Sequence, residues 1–187
     1  MLREFLAAAS HRVAARVFGL GAATLCGACL AAAINPEVGR FVWTNVPPPV
    51  ALTPFAAPDG APKTLANFRG KTLVVNFWAT WCEPCEREMP TLDKLQAKMG
   101  GDDFQVLAVS QDREGAALAQ PFLIKHGWKN VASFMDPFHQ FSKDAKVPSI
   151  PFTLVIDKTG REIARIDGEA DWVSHQMLAN LRKAKEK

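Results

Sequence analysis

The 187-residue chain has no Gly-rich phosphate loop and no patch of interleaved basic and aromatic residues. Its formal charge is only +3, too small to argue for nucleic acid. No two histidines stand at the His-x-x-x-His spacing of a metal pair, and cysteines number four. A small disulfide-stapled scaffold carries more than that. Two of the four, Cys26 and Cys29, lie in an apolar N-terminal stretch, so only Cys82 and Cys85 remain for the body of the protein. An apolar fraction of 48% and this length suit one domain with a full core plus additional segments. Two thiols and no scaffold is a catalytic pattern.

Those two thiols have a telling context. Leu73 to Trp78 is an apolar, β-branched run with the length of a buried strand. Trp81-Cys82-Glu83-Pro84-Cys85 follows, and Glu86 to Leu92 is compatible with a helix. A Cys-x-x-Cys that closes a strand and opens a helix is arranged for redox chemistry. Cys82 at the helix start faces solvent in this reading, beside unpaired N–H groups and the positive end of the helix dipole, which favour thiolate. Cys85, one turn in, is the shielded resolving thiol. The competing reading is half of a zinc site, but a structural zinc site needs about four ligands, and spacing and context favour redox.

The stretch Val75-Asn76-Phe77-Trp78-Ala79-Thr80 leading into Trp81-Cys82-Glu83-Pro84-Cys85 resembles the thioredoxin superfamily. More narrowly it resembles the membrane-anchored TlpA/ResA-like thiol-disulfide oxidoreductases of bacteria. The likeness covers roughly residues 50 to 181. It includes Leu65 to Lys71, Glu86 to Pro90, Val106 to Ser110, Pro148 to Asp157 and Gly168 to Trp172, the last two being nearest to the TlpA branch. The resemblance implies an α/β, thioredoxin-like three-layer fold with a central mixed sheet, an N-terminal hairpin and a helix-plus-strand insertion. It also implies a protein-disulfide reductase whose only redox group is the Cys82–Cys85 pair, with no metal and no added cofactor.

Resemblance assigns further roles. Asn76 stands where thioredoxins proper carry a buried carboxylate that helps take the resolving thiol's proton, and asparagine cannot accept one. Glu88, three residues after Cys85 and on the same helical face, matches the functional glutamate of ResA-like proteins. It is read either as that proton-handling acid or as a solvated glutamate near the helix start. Glu83 and Glu88 both oppose thiolate at Cys82, which points to a reductant. Pro151 matches the cis proline that faces the cysteine pair. Ile150 before it would offer its backbone to an incoming chain, and Trp81 a partly exposed surface.

Along the chain, Arg3, His11, Arg12 and Arg16 precede an uncharged run from Val17 to Ile34. Residues 1–34 read as a signal-anchor, N-terminus in the cytoplasm, with Ala31-Ala32-Ala33 offering a cleavage alternative. Cys26 and Cys29 read there as small-residue packing. Residues 35–50, with Pro47-Pro48-Pro49, read as a stiff spacer or, alternatively, as a stretch packed on the domain. The thioredoxin-like domain takes 51–187. It begins with a hairpin over 52–55 and 63–65, and strands follow at 72–79, 104–110, 131–135, 152–156 and 161–167. Helices are expected at 113–126, 138–143 and 172–184, and His126, His139 and His175 read as solvated.

The resulting expectation is a single-pass protein of the bacterial inner membrane with its catalytic domain in the periplasm. It reduces disulfides of an extracytoplasmic client, such as a copper- or haem-centre assembly protein, and a membrane electron donor recharges it. A copper chaperone on the same fold would space its cysteines by three residues and add a distal histidine. A peroxiredoxin would need threonine where Ala79 stands, and an inert binding module would tolerate Cys82→Ser.

Overall fold

A computed structural model describes residues 39–44 and 52–187. The expected anchor at 1–34 and most of the expected spacer lie outside these residues. The framework is one eight-stranded mixed sheet in the order β1-β8-β7-β4-β5-β6-β2-β3. At its centre β4 (Thr72–Trp78) runs parallel to β5 (Phe104–Ser110) and antiparallel to β7 (Phe152–Ile156). β6 (Ala132–Met135) continues the parallel half, and β8 (Glu162–Asp167) returns from β7 through a hairpin. Both edges are short. β1 (Val42–Trp43) pairs with β8, and β2 (Phe55–Ala56) carries the last strand, β3 (Pro62–Lys63).

Side chains on β4 alternate between two cores, as the period of two requires. Leu73, Val75 and Phe77 enter one core with Phe55, Phe134, Phe141, Leu154 and Ile156. Val74 and Trp78 enter the other, with the buried faces of α1 (Glu83–Met99), α2 (Ala116–His126) and α4 (His175–Lys185). The buried positions of α1, namely Cys85, Glu88, Met89, Leu92, Asp93 and Leu95, recur at helical spacing. The short α3 (Gln140–Asp144) and a 3-10 turn at Leu65–Phe68 cover the opposite face. The expected three-layer α/β arrangement is present, as is the helix-plus-strand insertion, α2 and β6 followed by α3. The hairpin is formed by Phe55–Ala56 and Pro62–Lys63 rather than by the expected 52–55 and 63–65.

Phe41 to Thr44 correct the spacer reading. Val42 and Trp43 pair with Arg165 and Ala164, and Phe41 is buried in the helix-side core. The ammonium groups of Lys183 and Lys187 lie 5.4 and 5.1 Å from the Trp43 ring centre. These residues belong to the domain, so its edge starts before position 51. Hydrogen-bonding partners more than 100 residues away hold this segment, which local composition cannot announce.

Candidate active site

β4 delivers Trp78 to the sheet end, and five residues later α1 begins. Cys82 occupies the N-cap position in an extended conformation, and its carbonyl accepts from the Glu86 N–H at 3.0 Å. Pro84 is tolerated in the first turn, where the missing N–H would have no partner. The helix continues through Pro90 to Met99. Cys82 and Cys85 are joined, Sγ to Sγ, at 2.06 Å with Cα atoms 5.2 Å apart. Their order of depth is as expected, but the exposure is not. Cys82 is 5% exposed and Cys85 not at all, because both pack into the helix-side core, against which Ile150 also rests. The expectation that Cys82 faces solvent is therefore corrected for this disulfide form. Trp81 is the residue that projects, 68% exposed.

Beneath the pair, Glu88 is buried, with 3% exposure, which rules out the solvated reading. Its Oε1 accepts from Asn76 Nδ2 at 2.7 Å. Its Oε2 accepts from Trp172 Nε1 and from the Ala170 N–H, each at 3.0 Å. Asn76 also donates to its cross-strand neighbour Thr153 at 3.0 Å. Asn76 lies on the same sheet face as Val74 and Trp78, so the alternation of β4 aims it at α1. Burial strips solvent from the Glu88 carboxylate and pushes its pKa from an ordinary 4.5 to about 7, against the three hydrogen bonds that favour the charged form. Asparagine thus serves as a donor to the carboxylate one layer away. Glu83 behaves differently: it is solvated and pairs with Arg87 at 2.8 Å. Arg87 Nε also reaches Glu169 at 2.9 Å.

Ile150–Pro151 is a cis peptide, and Pro151 is buried. The Pro151 carbonyl accepts from Gly168 at 3.0 Å. Ile150 and Trp81 line a groove of about 410 Å³ whose other wall includes Gln111, His139 and Ser142. Of the predicted site residues the structure therefore unites Trp81 with Ile150 in the groove, and Cys85 with Glu88 on the buried face of α1. Neither sulfur nor Glu88 lines the groove. Among the described residues no three His, Cys, Asp or Glu side chains converge.

Three contributors escape a reading by sequence. Asp112 is buried and clamps the loop before the cysteines. Its carboxylate accepts from the Thr80 N–H at 3.1 Å, from Thr80 Oγ1 at 2.8 Å and from Ser110 Oγ at 2.8 Å. Trp172 holds Glu88, although nothing in its segment signals a donor role. His139, expected in solvent, is half-buried in the groove wall with φ of 56°. His126 is likewise not free: it stacks on Trp128 at 4.7 Å and contacts Glu86 at 3.3 Å. The one available hint for Asp112 is its place just past the end of a parallel strand, where α/β sheets gather functional groups.

A thioredoxin-like sheet with a closed Cys-x-x-Cys at a helix start and a cis proline in the loop whose Ile150 shares a groove with Trp81 defines a thiol-disulfide exchange protein. The Redoxin family profile matches residues 44–183, and the chain belongs to that family. It is 32% identical over 136 residues to the thiol-disulfide oxidoreductase ResA of Bacillus thuringiensis subsp. konkukian, covering 73% of this chain and 70% of that protein. It is 37% identical over 122 residues to the thiol:disulfide interchange protein HelX of Rhodobacter capsulatus, covering 65% of each. The solved structure of a secreted thiol-disulfide isomerase from Corynebacterium glutamicum superposes with a TM-score of 0.68. It covers 81% of this chain and 95% of that one, and at 22% identity the likeness is one of fold.

Proposed function

We propose that this chain is an extracytoplasmic reductant of protein disulfides, held at the bacterial inner membrane by residues 1–34 with its domain in the periplasm. The observation that carries the reading is the Cys82–Cys85 pair closed at the head of α1 over a buried glutamate. In the reduced chain the Cys82 thiolate attacks one sulfur of a client disulfide. A mixed disulfide forms, and the client's other sulfur leaves as a thiolate. The Cys85 thiol then gives up its proton and attacks Cys82 Sγ. The client leaves with both cysteines reduced, and the chain returns to the bonded form, two electrons poorer.

Glu88 is the proton-handling group in this scheme. It lies one turn beyond Cys85, and a pKa of about 7 lets it take or release a proton near neutrality. Asn76 tethers it and cannot substitute for it. Trp81 and Ile150 receive the client chain in the groove. A membrane protein passing electrons from the cytoplasm recharges the pair. Resemblance to TlpA/ResA-like proteins supports clients in cytochrome and copper-centre assembly, whose cysteines must be reduced before haem or copper is loaded.

The test is covalent capture with Cys85→Ser in native membranes. The reading expects an extracytoplasmic protein joined to Cys82 and released by dithiothreitol. Absence of any such adduct, together with tight copper binding by the reduced chain and no disulfide reduction, would replace it with a copper chaperone.

A further inference from the structure

The groove beside the disulfide does not stop at the Ile150–Pro151 loop. His139, in its far wall, also lines a second hollow of about 350 Å³, shared with Arg113, Phe138 and Lys143. Phe138 is 85% exposed, the most exposed large apolar side chain among the described residues. Its neighbours Asp136 and His139 are held in place: the Asp136 carboxylate accepts from the Phe141 and Ser142 N–H groups at 3.1 and 2.9 Å, at the start of α3. Phe138 is thus displayed by a fixed turn. Arg113 and Lys143 are both solvent-exposed, and neither makes an ion pair or side-chain hydrogen bond among the described residues.

None of the carboxylates nearby lines this hollow. Asp112 is engaged by Thr80 and Ser110, Asp136 by the α3 backbone, and Asp144 by Thr53 Oγ1. Glu114, next to Arg113, is the one exposed carboxylate in this stretch without such a partner. A continuous track therefore leads from Trp81, beside the reactive pair, past His139 to two unpaired cations and an unburied phenylalanine. Charged residues ordinarily keep such a track soluble; here they also give it a sign. Apolar exposure rimmed by charge of one sign is the signature of a docking surface.

We propose that this track docks an extended client segment that carries, to one side of the attacked cysteine, an acidic side chain followed by a large apolar one. The carboxylate meets Arg113 and Lys143, and the apolar side chain packs on Phe138. This deepens, and rests on, the reading of the chain as a disulfide reductant. The turn between β6 and α3, with Arg113 before α2, is then the element that selects clients, while Trp81 and Ile150 accept any chain that reaches the sulfur.

The test uses the reduced full-length chain and three probes. Two are cysteine peptides linked through a mixed disulfide to thionitrobenzoate, one bearing Asp-Glu-Phe beside the cysteine and the other Lys-Lys-Phe, each made with the motif on either side. The third is bis(2-hydroxyethyl) disulfide, which is small and neutral. At low salt the better-placed acidic peptide should release thionitrobenzoate roughly tenfold faster than its basic counterpart, within the range of electrostatic steering. The double variant Arg113→Ser/Lys143→Ser should erase that preference, and Phe138→Ser should slow both peptides alike. None of these variants should change the rate with bis(2-hydroxyethyl) disulfide. Equal rates for the two peptides, or a preference that survives the double variant, overturn the docking surface while leaving the reductant reading in place. So does self-association of the chain that Phe138→Ser abolishes, since a second copy would then be the occupant. Failure of the unaltered chain to reduce the small disulfide overturns both.

Discussion

The two faces of β4 are built from adjacent residues and do opposite work. Leu73, Val75 and Phe77 point into a core that is apolar throughout, where Phe55 stacks on Phe141 with ring centres 4.8 Å apart and meets Phe134 edge-on at 5.7 Å. Val74, Asn76 and Trp78 point the other way, toward α1, where a carboxylate is buried among three hydrogen-bond donors. The phenylalanine side gains from every methylene removed from water. The helix side forgoes some of that gain to keep a charge-bearing group under the cysteines. One strand thus separates stability from chemistry by the alternation of its side chains.

Three variants sharpen the contrast. Phe141→Ala, on the apolar face, should cost the most, about 3–5 kcal/mol of unfolding free energy in urea titrations. The folded fraction should still reduce bis(2-hydroxyethyl) disulfide at the unaltered rate. Glu88→Gln acts on the other face and shows itself through pH. The native carboxyl titrates near 7 rather than at its ordinary 4.5, so the folded chain retains a proton that the unfolded chain has lost. Its contribution is therefore fully present below pH 4.5 and is withdrawn as pH rises to about 7. That withdrawal amounts to about 3 kcal/mol. Urea midpoints measured across that window should fall in the unaltered chain and stay flatter in Glu88→Gln. Equal slopes would show that Glu88 is not held near neutrality.

Trp172→Phe should have the smallest effect. It removes one donor to Glu88 Oε2 and keeps most of the buried ring, so stability should drop by about 1 kcal/mol. Loss of that donor should also move the Glu88 titration upward, because the bond favours the charged form. Carboxyl NMR of Glu88 reads this directly, and a downward shift would contradict the arrangement.

The apolar face was legible from sequence almost residue by residue. Phe104 to Ser110 and Phe152 to Ile156 read as strands because their composition and length leave little else, and they are strands. The misplaced boundaries have local causes. The helix expected from 113 starts at Ala116, since Asp112 is turned to Thr80 and Gly115, at a φ of 59°, occupies the N-cap. The helix expected from 172 starts at His175, because Trp172 is drawn inward to Glu88 and Ser174 caps the helix through Met177 N–H at 3.3 Å. The helix face was legible only in part. Spacing placed Cys82, Cys85 and Glu88 on α1, but not the partners of Glu88, which are 12 and more than 80 residues away. Nor does spacing reveal that Cys82 is covered, since that depends on core packing that also involves the distant Ile150.

Among the described residues the two outermost strands, Val42–Trp43 and Pro62–Lys63, are each two residues long, and Pro62 has no N–H to offer. A neighbouring copy seeking to lengthen the sheet would find almost no free backbone to zip onto. Such domains, even when crowded together, would gain little by fusing edge to edge, which leaves each free to meet other proteins singly.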